Sequence, residues 1–407
     1  RSRVDARGTD DARTLVESLA PSLHDAMTNT LPVALLGQRF MGRAHSNAWR
    51  QAPKFFDLPL RPTLHTIAGR DAASLDAFAA QWGWESTTTD WRTIARDPDV
   101  ALVDIGTPND VHEEPATAML AAGKHVACEK PLSATLESAR RMRDAAADAP
   151  GRTFVWFNYR RCPAVALMHE LVQEGRIGDV LHVRGTYLQS WGGPDTPMLW
   201  RFDADRAGSG AHGDLNAHIV DMARFVTGHE GGRVHGAIEE TFVKERRADD
   251  GSMVPSTVDD VVVFLATFAN GATASFEASR LAHGHQNRNT LEINGTKGSV
   301  RFDFEDMNLL HFIDGTEDPR VRGWRRIMCT DAEHHPYAGA WWPDAHVIGY
   351  EHGFTNMAAD ICRVLGGGEP RVPLPDFADA FETQVVLEAA LQSARTGAAI
   401  ELEALRS

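Results

Sequence analysis

A regular alternation of short β-branched runs with helical stretches, beginning at residue 31, constrains the fold most. Such alternation is typical of βαβ units, in which helices cover a parallel sheet. The pattern predicts strands over 31–36, 63–68, 100–105, 125–127 and 153–157, with helices over 43–51, 72–82, 114–122 and 135–147. We therefore expect a doubly wound α/β domain over residues 31–157.

The pattern changes after about residue 158, where strands follow one another. We predict strands over 180–189, 234–243, 258–268, 272–279, 290–294 and 299–304, separated by turns such as Ala269-Asn270-Gly271 and Asn294-Gly295. Turns of this kind connect antiparallel strands. A helix over about 213–226 interrupts the series, and helices over about 354–365 and 377–396 follow it. Residues 158–407 are thus expected to form an open antiparallel sheet flanked by helices, and residues 1–30 an N-terminal extension.

Charge and cysteine usage exclude several classes of function. The 407 residues include 56 acidic and 41 basic side chains, and a net charge of −15 disfavours nucleic acid and anionic membranes as partners. The four cysteines lack CxxC spacing, which argues against a zinc site or a disulfide framework. We also find no signal peptide and no apolar run near the roughly 18 residues of a membrane span. These features predict a cytoplasmic protein with a small, mostly neutral ligand.

The first predicted strand leads into a turn with glycines at both ends, Gly37-Gln38-Arg39-Phe40-Met41-Gly42. A G-x-G-x-x-G turn between a strand and a helix places the pyrophosphate of a dinucleotide on the helix N-terminus. Here Arg39 replaces the second glycine, so its side chain must point away or donate to a phosphate oxygen. The turn predicts an NAD(P)-binding Rossmann domain. The alternative is a tight turn whose glycines serve packing alone.

Two residues after the second predicted strand bear on the choice of cofactor. A carboxylate at Asp71 would accept from the adenosine 2′-hydroxyl of NAD, whereas Arg70 would suit the 2′-phosphate of NADP. We favour NAD and leave NADP open. Alternatively, both side chains belong to the solvated start of the second helix.

Three later motifs occur in a distinctive order. They are Thr107-Pro108-Asn109 with His112, then Cys128-Glu129-Lys130-Pro131-Leu132, then Gly213-Asp214 with His218 and Asp221. Together they resemble the Gfo/Idh/MocA family of oxidoreductases from about residue 31 to the C-terminus. Segments such as Asn158-Tyr159-Arg160-Arg161 are most similar to its levoglucosan dehydrogenase-like, sugar 3-dehydrogenase members. The resemblance implies transfer of a hydride from a sugar ring hydroxyl, commonly at C3, to NAD(P).

The resemblance also implies which residues bind the cofactor. They are Gly37, Arg39, Phe40, Met41, Gly42, His45, Arg70, Asp71, Thr107, Pro108, Asn109, His112, Glu129 and Lys130. Among them, we expect His112 to pack against the loop over the nicotinamide and to take no part in the chemistry. Asp221, outside this set, is expected to be structural.

Oxidation of a secondary alcohol needs a base within hydrogen-bond reach of the hydroxyl, and this requirement selects three catalytic candidates. His218 has a suitable ordinary pKa, near 6.5. Asp214 lies four residues before it on a predicted helix, so it could orient the imidazole and stabilise its charged form. Lys130 would donate to the reacting oxygen and stabilise its developing negative charge. The family resemblance implies the same acid/base role for Asp214 and His218. Taken alone, an Asp and a His at this spacing would be interpreted as a surface pair.

Aromatic and polar side chains are expected to line the sugar pocket. Flat rings stack on the C–H face of a pyranose, while arginine and glutamine donate to its hydroxyls. The candidates, besides Lys130, Asp214 and His218, are Tyr159, Arg160, Arg161, Tyr187, Gln189, Trp191, Trp200 and Arg201. Part of this set could instead be core or interface. Histidine-rich stretches such as His283-Gly284-His285 lack acidic or cysteine partners at a recognised spacing, so we expect no metal.

The sequence is compatible with three functions. The first is a sugar dehydrogenase that exchanges its cofactor. The second is a glycoside-processing enzyme that retains the cofactor, oxidises C3 and then eliminates a substituent or returns the hydride. The third, a non-catalytic NAD-binding regulator, has no need for Lys130, Asp214 and His218.

Assembly is also open. Val261 and Val263 alternate with Val262 and Phe264, so both faces of the second sheet are partly apolar. This favours a homo-oligomer, a dimer or tetramer. In the alternative, the chain after residue 305 covers the sheet and leaves a monomer.

Overall fold

The computed structural model describes residues 29–406, so residues 1–28 of the predicted extension lie outside the described residues. Within that range, no helix has the length and apolar character needed to cross a membrane.

A six-stranded parallel sheet forms the first half of the chain, in the order β3-β2-β1-β4-β5-β6. Its strands are β1 (Thr30–Leu36), β2 (Arg61–Ala68), β3 (Ser86–Thr88), β4 (Leu102–Ile105), β5 (His125–Cys128) and β6 (Thr153–Val155). All four residues of β4 are buried, as in a sheet covered on both faces. The sheet confirms the doubly wound prediction and adds β3, a short polar strand that the pattern did not predict.

Helices connect these strands: α1 (Phe40–Phe55), α2 (Ala72–Trp82), α3 (Arg92–Arg96), α4 (Glu113–Ala121) and α5 (Leu136–Ala147). Strand β1 pairs with β2 on one side and with β4 on the other. The chain therefore reverses direction across the sheet beside β1. In such sheets, ligands bind at the carboxyl ends of the strands next to this reversal.

The second half is built on a nine-stranded sheet in the order β16-β15-β14-β13-β7-β12-β11-β8-β17. Its strands are β7 (Val180–Leu188), β8 (Gly231–Glu240), β11 (Val261–Phe268), β12 (Thr273–Ser279), β13 (Arg288–Gly295), β14 (Gly298–Asp303), β15 (Leu309–Asp314), β16 (Arg325–Met328) and β17 (Ile400–Glu401). A separate hairpin comprises β9 (Glu245–Arg247) and β10 (Met253–Pro255). Strands β7 and β12 run parallel and the other pairs antiparallel, so the sheet is mixed.

The helices of this half are α6 (Pro163–Gln173), α7 (Ala204–Ala207), α8 (Ala217–Thr227), α9 (Tyr350–Leu365), α10 (Phe377–Thr396) and α11 (Glu403–Arg406). Every residue of α8 is buried, because the helix lies between the sheet, α6 and α10. The turn before it, His212–Asn216, is π-helical, which interrupts the regular helix expected over 213–226. It carries Asp214, and π turns inside helices often occur at functional sites.

The chain after β16 returns to the first half of the protein. Helix α9 packs against α1, and the Trp341 ring lies 4.4 Å from that of Phe55. Farther along, α10 packs against one face of the sheet at β8, and β17 pairs with the edge of that strand. On the opposite face of β8 and β11, Ile238 is 62% and Leu265 57% exposed, so the chain after residue 305 covers the sheet on one face only at this position.

Candidate active site

The turn between β1 and α1 needs both of its glycines. Gly37 has φ +108°, and a Cβ there would lie 2.7 Å from the Gly106 carbonyl oxygen. A Cβ on Gly42 would lie 2.4 Å from the Gly37 carbonyl oxygen. Side chains are therefore excluded at both positions, and α1 begins tight against the turn. Arg39 is exposed where the helix begins, so its side chain does not occupy the turn.

The residues after β2 cap the next helix. A carboxylate oxygen of Asp71 accepts from the Ser74 backbone N–H at 2.9 Å. Hydrogen bonds from the Ser74 side chain and backbone lower the pKa of Asp71, which is exposed beside Arg70. This geometry supports the helix-start interpretation and leaves Asp71 accessible as an anion.

A cavity of about 590 Å³ opens between the two sheets, at the carboxyl ends of β4 and β5. Residues from both halves of the chain line it. Among them are Phe40, Met41, Thr107, Asn109, Glu129, Lys130, Asn158, Tyr159, Tyr187, Gln189, Trp191, Leu199, Trp200, Arg201, Ser209, Asp214, His218, Arg280, Asn287, Tyr350 and Phe354. The three catalytic candidates and six of the eight further sugar-pocket candidates thus share one cavity.

Lys130 and Asp214 form the charged centre of this cavity. Lys130 Nζ lies 2.7 Å from Asp214 Oδ1 and 2.9 Å from the Asp214 carbonyl oxygen. The other carboxylate oxygen, Oδ2, accepts from the Arg280 guanidinium at 2.9 Å. Although burial alone raises the pKa of Asp214, the charges of Lys130, Arg280 and Arg201 hold it well below its usual value. Asp214 is therefore a fixed anion at neutral pH.

His218 has a different environment from the one expected. Its ring stacks on Tyr159 at 4.3 Å, and within the described chain its Nδ1 has no hydrogen-bond partner. Burial, with a contribution from Lys130, lowers its pKa well below the ordinary value despite the opposing effect of Asp214. The expectation that Asp214 orients this imidazole is corrected, because both Asp214 oxygens are held by cations. His218 is therefore a neutral imidazole at neutral pH.

Arg160 and Arg161 do not line the cavity, and their predicted contact with the sugar is corrected. Arg160 is buried between Asp221 and Asp379, with its Nε 2.9 Å from Asp221 Oδ2. Arg161 is fully buried and donates to the carbonyl oxygens of Val372 and Pro373 at 3.0 and 2.9 Å. These guanidiniums tie the turn after β6 to the C-terminal segments. Asp221 pairs with Arg160, in agreement with the structural role expected of it.

Two predicted cofactor contacts also lie behind the cavity wall. His45 is fully buried between Asp104 and Glu129, so its predicted direct contact with the cofactor is corrected. His112 is fully buried too, with ring nitrogens 3.2 Å from the Leu132 carbonyl oxygen and 3.0 Å from that of Thr107. This is the loop-packing position expected of it.

Thr107-Pro108-Asn109 connects the two halves of the protein. Asn109 donates to the Ala207 carbonyl oxygen at 2.9 Å, and Pro108 precedes the short turn that begins at Asn109. Thr107 and Asn109 of this loop line the cavity.

Two residues of the cavity carried no usable signal in the sequence. Arg280 follows β12 and is 1% exposed, although nothing in its local pattern distinguishes it from a surface arginine. Asn287 accepts from Tyr187 and Gln189 at 2.6 and 2.7 Å. Both come from segments far along the chain from Lys130, so only the fold brings them to the site.

Unpartnered polar atoms indicate how the cavity would receive a ligand. Within residues 29–406, Thr107 Oγ1, Asn158 Nδ2 and His218 Nδ1 are buried in the wall without hydrogen-bond partners. Buried polar atoms of native proteins are normally paired, so these atoms suit a polar ligand. Together with the Gly37 turn, they form a site compatible with a dinucleotide on one side and a hydroxylated molecule on the other.

Comparison with known proteins assigns both halves of the chain. Residues 31–157 match the oxidoreductase family with NAD-binding Rossmann fold, and residues 165–301 match the GFO/IDH/MocA C-terminal domain. Levoglucosan dehydrogenase of Pseudarthrobacter phenanthrenivorans is 40% identical over 380 residues, which are 89% of this chain and 96% of that protein.

Solved structures show the same relationship. An oxidoreductase domain protein from Kribbella flavida superposes with a TM-score of 0.89 at 51% identity, covering 92% of this chain and 99% of the other. Levoglucosan dehydrogenase in complex with NADH and levoglucosan superposes with a TM-score of 0.87 at 41% identity, covering 91% and 99%. The resemblance inferred from the motifs is confirmed, as is an NAD-binding domain. The protein is an enzyme of the Gfo/Idh/MocA family of oxidoreductases, a family whose named members include several sugar dehydrogenases.

Proposed function

We propose that the protein oxidises a ring hydroxyl, at C3, of a neutral sugar or glycoside, with NAD⁺ as a freely exchanging hydride acceptor. The observation that carries this proposal is one cavity in which Lys130, a fixed Asp214 anion and a neutral His218 face the same space. Levoglucosan dehydrogenase, 40–41% identical to this chain, has been solved in complex with NADH and levoglucosan and with NADH and L-sorbose, which supports a sugar as the substrate.

The acid/base roles follow from the charge state of each group. His218, as a neutral imidazole with an unpartnered nitrogen, accepts the hydroxyl proton. The Lys130 ammonium donates to the same oxygen as negative charge develops there. The Asp214 carboxylate holds that ammonium at 2.7 Å, and Arg280 in turn holds the carboxylate at 2.9 Å. Bound NAD⁺ supplies the hydride acceptor.

The far wall of the cavity suits a hydroxylated ring. Trp191, Trp200 and Arg201 line it, and the Arg201 guanidinium lies 4.5 Å from the Trp200 ring centre. An indole face packs on sugar C–H groups, while Gln189 and Asn287 offer amide groups to hydroxyls. These residues support a compact, uncharged substrate such as an anhydrosugar or a monosaccharide.

A spectrophotometric screen tests the proposal. Purified protein and excess NAD⁺ are offered levoglucosan, free hexoses, inositols and simple glycosides, and NADH formation is followed by its absorbance. We expect NADH in amounts equal to the oxidised sugar, and product analysis should place the carbonyl at C3. Product without NADH accumulation would instead support the retained-cofactor enzyme, and no turnover of any sugar would contradict the proposal.

We also propose that the protein forms a dimer or tetramer through the outer face of the nine-stranded sheet. Ile238 pairs with Val263 there, and the neighbouring Leu265 is 57% exposed. Light scattering at micromolar concentration should therefore give a multiple of the 44.6 kDa chain mass. A mass near that of one chain would contradict association.

A further inference from the structure

A buried chain of hydrogen bonds runs behind the cavity wall and ends at Lys130. His45, on α1, is 0% exposed, and both of its ring nitrogens face carboxylates. Its Nδ1 lies 3.0 Å from Asp104 Oδ1, and its Nε2 lies 3.0 Å from Glu129 Oε1. The second Glu129 oxygen accepts from the Lys130 backbone N–H at 3.1 Å.

The far end of this chain is anchored in the centre of the parallel sheet. Asp104, on β4, is fully buried and accepts from two indoles: Trp49 Nε1 at 2.7 Å and Trp156 Nε1 at 2.8 Å. The Trp156 ring also stacks on the His45 imidazole at 4.3 Å. A buried carboxylate with three donors cannot rotate without losing at least one of them.

The imidazole must carry two protons to donate to both carboxylates. Burial lowers the pKa of His45, but the charges and hydrogen bonds of Asp104 and Glu129 outweigh this effect and raise it to about 9. Other ionisable or charged groups close to Asp104 or Glu129 are Cys128, Lys130, His112 and Tyr350.

From this geometry we infer that His45 and Asp104 are positioning residues: as a buried imidazolium, His45 holds the Glu129 carboxylate in the cavity wall and thereby fixes the backbone from which Lys130 projects. Glu129 is 4% exposed and lines the cavity, so it is the member of the chain within reach of the bound cofactor. His45 and Asp104 thus support, from behind the cavity wall, the position of Lys130 on which the proposed function depends.

The role predicts a specific defect in the variant His45→Gln. Glutamine can donate to one carboxylate but carries no charge, so Glu129 loses its cationic neighbour in a buried site. A carboxylate in that situation is protonated more easily. NADH binding should weaken by roughly tenfold, the scale of one lost charge-assisted hydrogen bond, and should weaken further as the pH falls, more steeply than in the unaltered protein.

A double-mutant cycle on NADH binding, measured by fluorescence titration, tests the inference. If His45 acts through Glu129, His45→Gln should have little further effect in a Glu129→Gln background, and the new pH dependence should vanish there. His169→Gln is the matched control, because that half-buried histidine bonds the Phe225 carbonyl oxygen at 2.8 Å and lies on α6, outside the cavity lining. It should bind NADH normally.

Two results would overturn the inference: unchanged NADH binding by His45→Gln, or an equal loss with and without Glu129. If His45→Gln does not fold, Asp104→Asn replaces it in the double-mutant cycle with Glu129→Gln. Asparagine keeps the size of the side chain and removes the charge that anchors His45. Because the titration needs NADH alone, failure to oxidise any sugar would contradict the proposed function and leave this result standing.

Discussion

The wall of the cavity and the layer behind it differ in how their polar groups are satisfied. Behind the wall, His45 bonds Asp104 and Glu129 at 3.0 Å each, and all three side chains are almost completely buried. In the cavity wall itself, Thr107 Oγ1, Asn158 Nδ2 and His218 Nδ1 lack partners within the described chain. The first arrangement fixes geometry before a ligand arrives. The second leaves hydrogen-bonding capacity for a polar ligand.

Removing a group that contacts the reacting oxygen should have the largest effect. We expect Lys130→Met and His218→Ala each to lower kcat/KM by at least about 10²-fold, the scale of losing an acid/base group or an oxyanion donor. Circular dichroism should show intact folding. Turnover near that of the unaltered protein in either variant would contradict the mechanism.

Arg280→Gln should produce the next largest effect, because it removes one of the two cations that hold Asp214. Loss of a charge-assisted hydrogen bond predicts a fall in kcat/KM of roughly 10- to 100-fold. The pKa of Asp214 should rise towards its usual value. As the pH is lowered, activity should therefore begin to fall at a higher pH than in the unaltered protein. Arg320→Gln, which removes an exposed guanidinium that pairs with Asp318 at 3.0 Å, is the control. Identical pH profiles for Arg280→Gln and the unaltered protein would be the contrary result.

Cofactor choice should respond more modestly. Asp71→Ser retains a helix cap and removes the charge, so stability should change little. The ratio of kcat/KM for NAD⁺ to that for NADP⁺ should fall about tenfold, because no carboxylate then accepts from the ribose hydroxyl. Steady-state kinetics with both cofactors measure this ratio. A native preference for NADP⁺ would show that Arg70 dominates.

Arg39→Gly should have the smallest effect. The side chain is exposed at the start of α1 and has no ion-pair partner in the described part of the chain. We therefore expect NADH affinity to change less than about threefold, as for an exposed charge. A loss of tenfold or more in a fluorescence titration would indicate that Arg39 pairs with a phosphate oxygen.

The sequence predicted features that depend on local chain order. The parallel sheet followed from alternating strands and helices, and the positions of Gly37 and Gly42 followed from the turn between them. The π turn at Asp214 was not predicted, since its i, i+4 spacing to His218 is that of a regular helix. Arginines 160 and 161 were misassigned because sequence does not distinguish a buried structural guanidinium from one in a binding cavity.

Longer-range placement could not be predicted. Arg280 approaches Asp214 only because β12 pairs with β7 in the mixed sheet. These two parallel strands are far apart in the chain, so no turn in the sequence indicates their pairing. Strands β15 and β16 were also missed. In β16, charged residues such as Arg325 and Arg326 break the apolar alternation.

The packing of the C-terminal part of the chain on α1 has a thermodynamic consequence. Phe40, where α1 begins, stacks with Tyr350, and Phe55, where it ends, contacts Trp341. The same helix begins at the turn that would receive the nucleotide. Occupation of that turn and docking of the C-terminal part of the chain are therefore linked equilibria. NADH should slow proteolysis near Trp341, and a cut there should weaken NADH binding by the same coupling free energy.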